Sequence, residues 1–221
     1  MIIVIDGPAG SGKSSTAKAV AEILNIEYLD SGALYRAAAW LFLEAEKDLD
    51  TFFNLLNRAS FSFSYTDSVF HVAINGTDIT KELRTTRVSE QVSTVAAHPR
   101  VRSFVNGLMR NKVNQGTYIA EGRDLGTAVF TDANLKFYMS ADVEERVQRR
   151  YEEQTASEAD ITLEQVRQNI IARDQKDSQR KTDPLKKAPD AIELDTTGLR
   201  FDEQVEKICT IIDEKTDLTY T

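Results

Sequence analysis

Gly7-Pro8-Ala9-Gly10-Ser11-Gly12-Lys13-Ser14-Ser15 fits the spacing G-x-x-x-x-G-K-[ST], and it stands between the apolar run Ile2 to Ile5 and a helical pattern that begins near residue 13. Glycines let such a loop curl until its N–H groups converge on phosphate oxygens. The following helix points its positive end at the same place, and Lys13 adds a compact cation. Ser14 can offer a hydroxyl to Mg²⁺ held by those phosphates. The segment therefore predicts a site for a nucleoside triphosphate, with all nine residues as its contacts. It does not say what becomes of the nucleotide.

Arginines supply the next clue. Asp30-Ser31-Gly32-Ala33-Leu34-Tyr35-Arg36 follows a second apolar run, Arg123-Asp124 follows a third, and Arg100 and Arg102 open a helical pattern. In open parallel sheets ligands bind beyond the carboxyl ends of strands, so Arg36 and Arg123 are placed to hold a second phosphate-bearing molecule. Arg173, Asp177 and Arg180 are spaced by four and three, which puts them on one face of a helix; Asp177 is either a pocket carboxylate or a partner for its helical neighbours. Other P-loop classes fit less well. Asn111-Lys112-Val113-Asn114 lacks the acidic residue that reads guanine in N-K-x-D, and Leu135 to Met139 ends in Ser140-Ala141 rather than in the carboxylates of a motor ATPase.

Positioning these residues requires strands and helices in alternation. The candidate core strands are Ile2 to Ile5, Tyr28 to Asp30, Tyr118 to Glu121, Leu135 to Met139 and Ile192 to Asp195. Helical periodicity covers roughly 13–24, 32–46, 87–97, 100–114, 142–153, 162–177 and 201–215, a pattern that predicts a parallel five-stranded sheet with helices on both faces. Phe61, Phe63 and Tyr65 alternate with polar residues, and Val69 to Ile74 precedes Asn75-Gly76; residues 59–84 read as a small antiparallel insert. Gln154 to Asp160 is polar and is either a short lid or a surface connection.

Composition narrows the setting. The 221 residues carry 27 Lys and Arg against 35 Asp and Glu, a formal charge of −8, so the overall field repels nucleic acid and anionic lipid, and phosphate binding must be local. Cys209 is the single cysteine and His71 and His98 the two imidazoles, which predicts neither a disulfide nor a Cys/His zinc site and suits a reducing, cytoplasmic compartment. No apolar run approaches a membrane span.

Taken together, Ile5 to Ser14, Leu29 to Arg36, Pro99-Arg100-Val101-Arg102, Gly122-Arg123-Asp124-Leu125-Gly126-Thr127, and Arg173-Asp174 through Asp177 and Arg180 to Pro184-Leu185 resemble the bacterial cytidylate kinases nearly end to end. The resemblance implies one P-loop kinase domain over residues 1–221. Its core would be 1–30, 115–150 and 180–221, its monophosphate-binding region 31–114 with the insert inside it, and its lid about 150–165. It implies a monomeric enzyme that moves a phosphoryl group from ATP, with Mg²⁺, to CMP or dCMP. By the same resemblance Ser31, Arg102, Asp124 and Arg180 face the pyrimidine, Ser93, Arg173 and Asp177 the sugar, and Arg36 and Arg123 the acceptor phosphate.

Lys13, Arg123 and Arg180 are expected to stabilise the charge on the moving group. The acceptor is already an ionised phosphate oxygen, so no catalytic histidine is required. Glu121 stands where the family commonly has Asp, and Thr131 where it often has Pro. Arg146, Arg149 and Arg150 resemble the basic segment near the lid, or form a solvated helix face. The alternatives are a kinase for another small acceptor, such as UMP or shikimate, and a nucleotide-dependent switch. A switch has no need for a second phosphate cradle.

Overall fold

The computed structural model describes residues 1–114, 116–155 and 161–219. The chain begins with β1 (Ile2–Asp6), α1 (Lys13–Ile23), β2 (Glu27–Asp30), α2 (Ser31–Glu44) and α3 (Leu49–Arg58). A hairpin-rich stretch follows, β3 (Phe61–Thr66), β4 (Val69–Ile74) and β5 (Thr77–Asp78), then α4 (Thr86–Ala96) and α5 (Pro99–Lys112). The second half is β6 (Tyr118–Gly122), β7 (Leu135–Ser140), α6 (Val143–Thr155), α7 (Leu163–Gln179), β8 (Ile192–Asp195) and α8 (Phe201–Lys215).

Five strands form one parallel sheet in the order β2-β6-β1-β7-β8. Successive strand residues point to opposite faces, and Ile3, Val4 and Ile5 of β1 are each fully buried, so both faces of the sheet are covered. The first crossover runs from β1 to β2 and leaves a gap that β6 fills, while β7 pairs on the other side of β1. The order reverses at β1, and the crevice at such a reversal is where α/β sheets hold ligands. Asp6, Asp30 and Glu121 all stand at carboxyl ends there, with Asp6 level with Gly122 and Asp30 with Glu121.

The antiparallel insert lies within the span expected for it, in the order β3-β4-β5. Asn75 and Gly76 take φ of 52° and 81°, the left-handed angles a tight hairpin turn needs. Asp67 and Ser68 do the same between β3 and β4, with φ of 52° and 59°. Tyr28 of β2 meets Tyr65 and Phe70 edge-on, at 5.0 and 6.0 Å between ring centroids, so the insert covers the edge strand.

Helix α3 lies outside the helices that the periodicity predicts. Asp48 caps it by accepting the N–H of Thr51 at 2.8 Å, and Phe52, Phe53 and Leu56 form its buried stripe. Residues 156–160, the centre of the expected lid, lie outside the described residues; its flanks are the end of α6 and the start of α7. Among the described residues no helix is long and apolar enough to cross a membrane.

Candidate active site

The loop between β1 and α1 is held by close approach. A Cβ on Gly7 would run into the carbonyl oxygen of Met139 on β7, so the loop lies flat against the neighbouring strand because position 7 has no side chain. Gly12 starts α1 in a left-handed conformation, and no side chain caps that helix, which leaves its first N–H groups for a ligand. Ser15 is exposed and its hydroxyl donates back to the Gly12 carbonyl at 2.9 Å. Lys13 is buried, and its Nζ donates to the Pro8 carbonyl at 2.6 Å and to Ser11 Oγ at 3.1 Å. Burial first, and then Arg123, hold its ammonium well below the ordinary value; an arriving anion would relieve both costs.

Around the loop stand carboxylates that composition alone does not single out. Ser14 Oγ donates to Glu121 Oε1 at 2.7 Å, and burial beside Asp30 pushes the Glu121 carboxyl up. Asp6 accepts the N–H groups of Leu125 and Gly126 at 3.0 and 2.8 Å and so fixes the turn after β6; burial still pushes it up to about 6. Arg146, read as a candidate for a solvated face, is instead buried. Its Nη1 donates to the Ala9 carbonyl at 2.8 Å and to Asp174 at 2.5 Å, while Asp174 accepts the N–H of Ala9 at 3.0 Å. This triangle ties α6 and α7 to the loop. Arg149 is anchored to Thr196, at 3.0 Å to its hydroxyl and 2.8 Å to its carbonyl.

Beyond the loop the arginines converge. Arg36 comes from α2, Arg123 from the end of β6 and Arg173 from α7, and all three are partly shielded from solvent. Arg123 donates through Nε to Asp177 at 3.1 Å, whereas Arg36 and Arg173 have no hydrogen bond or ion pair among the described residues. Burial, then the charges of Arg123 and Arg36, push the Arg173 guanidinium down from its ordinary value; burial does the same to Arg36. Unpartnered guanidinium groups that repel one another in a cleft are a receptor for an anion with several oxygens.

Arg102 and Arg180 make a different arrangement. Arg102 is only 1% exposed, and its Nη2 pairs with Asp124 Oδ2; Arg180 Nη2 donates to Asp124 Oδ1 at 2.6 Å. Arg102 Nε also donates to Asp183 Oδ2, at 2.7 Å. Asp177 lies within α7 and Arg180 is the residue that ends it, with ψ of 142°; Arg180 Nη1 still reaches Asp177 Oδ1 at 3.8 Å, as the three-residue spacing expects, while its Nη2 turns to Asp124. The extended backbone at Arg180 ends the helix at Gln179.

Ser31 Oγ donates to the backbone carbonyl of Glu121 at 2.7 Å, which sets α2 against β6. Ser93 lies half-buried on α4, and its hydroxyl has no partner among the described residues. The sequence reading missed Asp6, Asp174 and Asp183 as members of this centre. A carboxylate ending the first strand was a usable signal for Asp6, but the other two depend on contacts between distant segments. Arg100, which opens α5 with Arg102, instead stacks 3.9 Å over the ring of Phe53.

Fold and geometry together define a P-loop phosphotransferase with a cluster of arginines beside its phosphate loop. Comparison with known proteins narrows this further. Residues 3–214 match the cytidylate kinase family. The cytidylate kinase of Carboxydothermus hydrogenoformans is 40% identical over 221 residues, covering 99% of this chain and all of that protein. That of Streptococcus pneumoniae is 42% identical over 210 residues, 93% of this chain and 94% of its own. The chain belongs to the cytidylate kinase family. Its fold also resembles the crystal structure of an uncharacterized protein from Eubacterium ventriosum, with a TM-score of 0.55 at 16% identity, covering 97% of this chain and 98% of the other.

Proposed function

We propose that the protein transfers the terminal phosphoryl group of ATP to the phosphate of CMP or dCMP, giving ADP and CDP or dCDP. The observation that carries this reading is the pair Arg36 and Arg173, neither with a hydrogen bond or ion pair among the described residues, beside a complete phosphate loop in a chain of the cytidylate kinase family. An oxygen of the acceptor phosphate attacks the terminal phosphorus of ATP as the bond to the bridging oxygen breaks, and that oxygen leaves with its electron pair on ADP. Lys13, Arg123 and Arg180 oppose the charge spread over the moving group.

The same reading gives Arg36 and Arg123 the acceptor phosphate, Arg173, Asp177 and Ser93 the sugar, and Ser31, Arg102, Asp124 and Arg180 the base. Ser14 Oγ and the Glu121 carboxylate, 2.7 Å apart, are hard oxygen donors of the kind magnesium prefers, and they would hold Mg²⁺ arriving with ATP. The ion supplies charge neutralisation to the phosphates. Residues 31–114 would form the monophosphate-binding region against a core of 1–30, 115–150 and 180–221, with the segment of about 150–165 as a lid that excludes water. The enzyme would work as a cytoplasmic monomer on small molecules, and its charge of −8 favours neither nucleic acid nor anionic membrane as a partner.

The test is product analysis. Incubated with ATP, Mg²⁺ and each of CMP, dCMP, UMP, AMP and GMP, the protein is expected to form CDP and dCDP fastest. Faster conversion of another monophosphate would contradict the acceptor assignment.

A further inference from the structure

Asp183 stands in an unusual place. Its φ is 48°, a left-handed angle that non-glycine residues seldom take, although Asp and Asn tolerate it best, and Pro184 follows directly. A backbone held there needs compensation from its surroundings. The compensation is visible at both ends of the residue: its carboxylate accepts Arg102 Nε at 2.7 Å, and its carbonyl accepts Arg180 Nε at 2.6 Å. These are the same two arginines whose outer nitrogens pair with Asp124. Asp183 thus grips both guanidinium groups from behind while Asp124 faces them from the other side.

The charges in this group cancel. Arg102 and Arg180 contribute two positive charges, Asp124 and Asp183 two negative ones. Arg102 is nearly sealed from solvent, whereas the Asp183 side chain is 28% exposed, so the carboxylate is brought in from the rim to meet a buried cation. Without Asp183, Asp124 would be the one carboxylate left on Arg102 while also facing Arg180, because Asp177, 3.8 Å from Arg180, already pairs with Arg123. The group would then carry net positive charge and would favour an acceptor atom on the base over a donor.

We propose that Asp183 is a positioning residue for base selection. It fixes Arg102 and cancels one of the two guanidinium charges, and so leaves the remaining lone pairs of Asp124 free for the amino group of cytosine. The inference rests on the assignment of CMP and dCMP as acceptors.

The experiment measures kcat/KM for CMP and for UMP at saturating ATP in the wild type, Asp183→Asn and Asp183→Gly. Asn keeps the side-chain oxygen and the tolerance for a left-handed angle but not the charge, and Gly keeps only the backbone freedom. Both variants are expected to lower the CMP to UMP ratio by roughly 3- to 10-fold, the worth of about one net hydrogen bond. Removal of a purely structural support would lower both rates together. An unchanged ratio in Asp183→Asn, whatever the overall rate or the behaviour of Asp183→Gly, overturns the proposal alone. A wild type with no preference for CMP overturns the acceptor assignment and this inference with it.

Discussion

Lys13 brings a positive charge into a buried loop where its protein partners are one carbonyl and one hydroxyl, and Arg123 repels it. The fold tolerates that charge because phosphate will use it. Lys13→Ala is therefore expected to lower turnover on the order of 100-fold or more with unchanged thermal stability, the usual cost of one preorganised charge contact. Turnover within about threefold of wild type would contradict the role. The depressed pKa has a definite sign. The charged form is disfavoured by folding, so raising the pH through the folded pKa removes the charge and strengthens rather than weakens this group's contribution to stability. A pH profile of kcat/KM for ATP should thus fall at alkaline pH before the ordinary lysine value of 10.5, without a matching loss of Tm from Lys13.

Asp124 belongs to the same scale. Ala in its place would leave Arg102 and Arg180 with one fewer carboxylate and Arg102 with Asp183 as its remaining close counter-charge, so Asp124→Asn is the cleaner variant. It is expected to narrow the preference for CMP over UMP by roughly 5- to 150-fold if the contact is worth about 1 to 3 kcal/mol. An unchanged ratio would assign Asp124 to charge balance alone.

Among the elements, α7 links the two halves of the site, because Asp174 reaches the phosphate loop while Arg173 and Asp177 reach the arginine cleft. Asp174→Ala would strand the buried Arg146 and should cost about 3–5 kcal/mol in denaturant unfolding, as breaking a buried ion pair does. Helix α3 offers a simpler case. Phe52 is buried at 1% exposure and meets Phe42 edge-on at 5.3 Å, so Phe52→Ala should lower stability by about 3–5 kcal/mol and leave the fold in place.

Elements were legible where local pattern and burial agree. The run at Ile2 is legible as a strand because both faces of the sheet are covered, which makes it continuously apolar; the run at Leu135 is apolar but for Lys136, whose ammonium reaches the Thr131 carbonyl and Asp190. Asn75-Gly76 marked its turn because few other residue pairs take those angles cheaply. Helix α3 is hard to read from sequence because it spans only Leu49 to Arg58 and runs directly into the strand alternation of the insert, which begins at Phe61. The end of α7 is legible to within two residues, Gln179 against an expected 177, and the spacing of three still brings Arg180 to 3.8 Å from Asp177 although Arg180 lies one residue past the helix. Asp174 and Asp183 gave no sequence signal, since an isolated Asp looks the same whether it meets water or a buried arginine 81 positions away.

At the scale of the whole molecule, the sheet order sets β1 beside β6, so that the phosphate loop leaving β1 stands beside Arg123, which follows β6, and Arg36 and Arg173 join it from α2 and α7. The central claim is that these two anion sites serve one reaction. On the proposed function the arginines hold the acceptor and complete the site, so ATP should be consumed only when that acceptor is present. The most direct test is steady-state release of ADP from ATP with and without CMP. The account predicts release that depends strongly on CMP and is nearly absent without it. ADP released equally fast in the absence of any monophosphate would contradict it and mark the protein as a nucleotide hydrolase or switch.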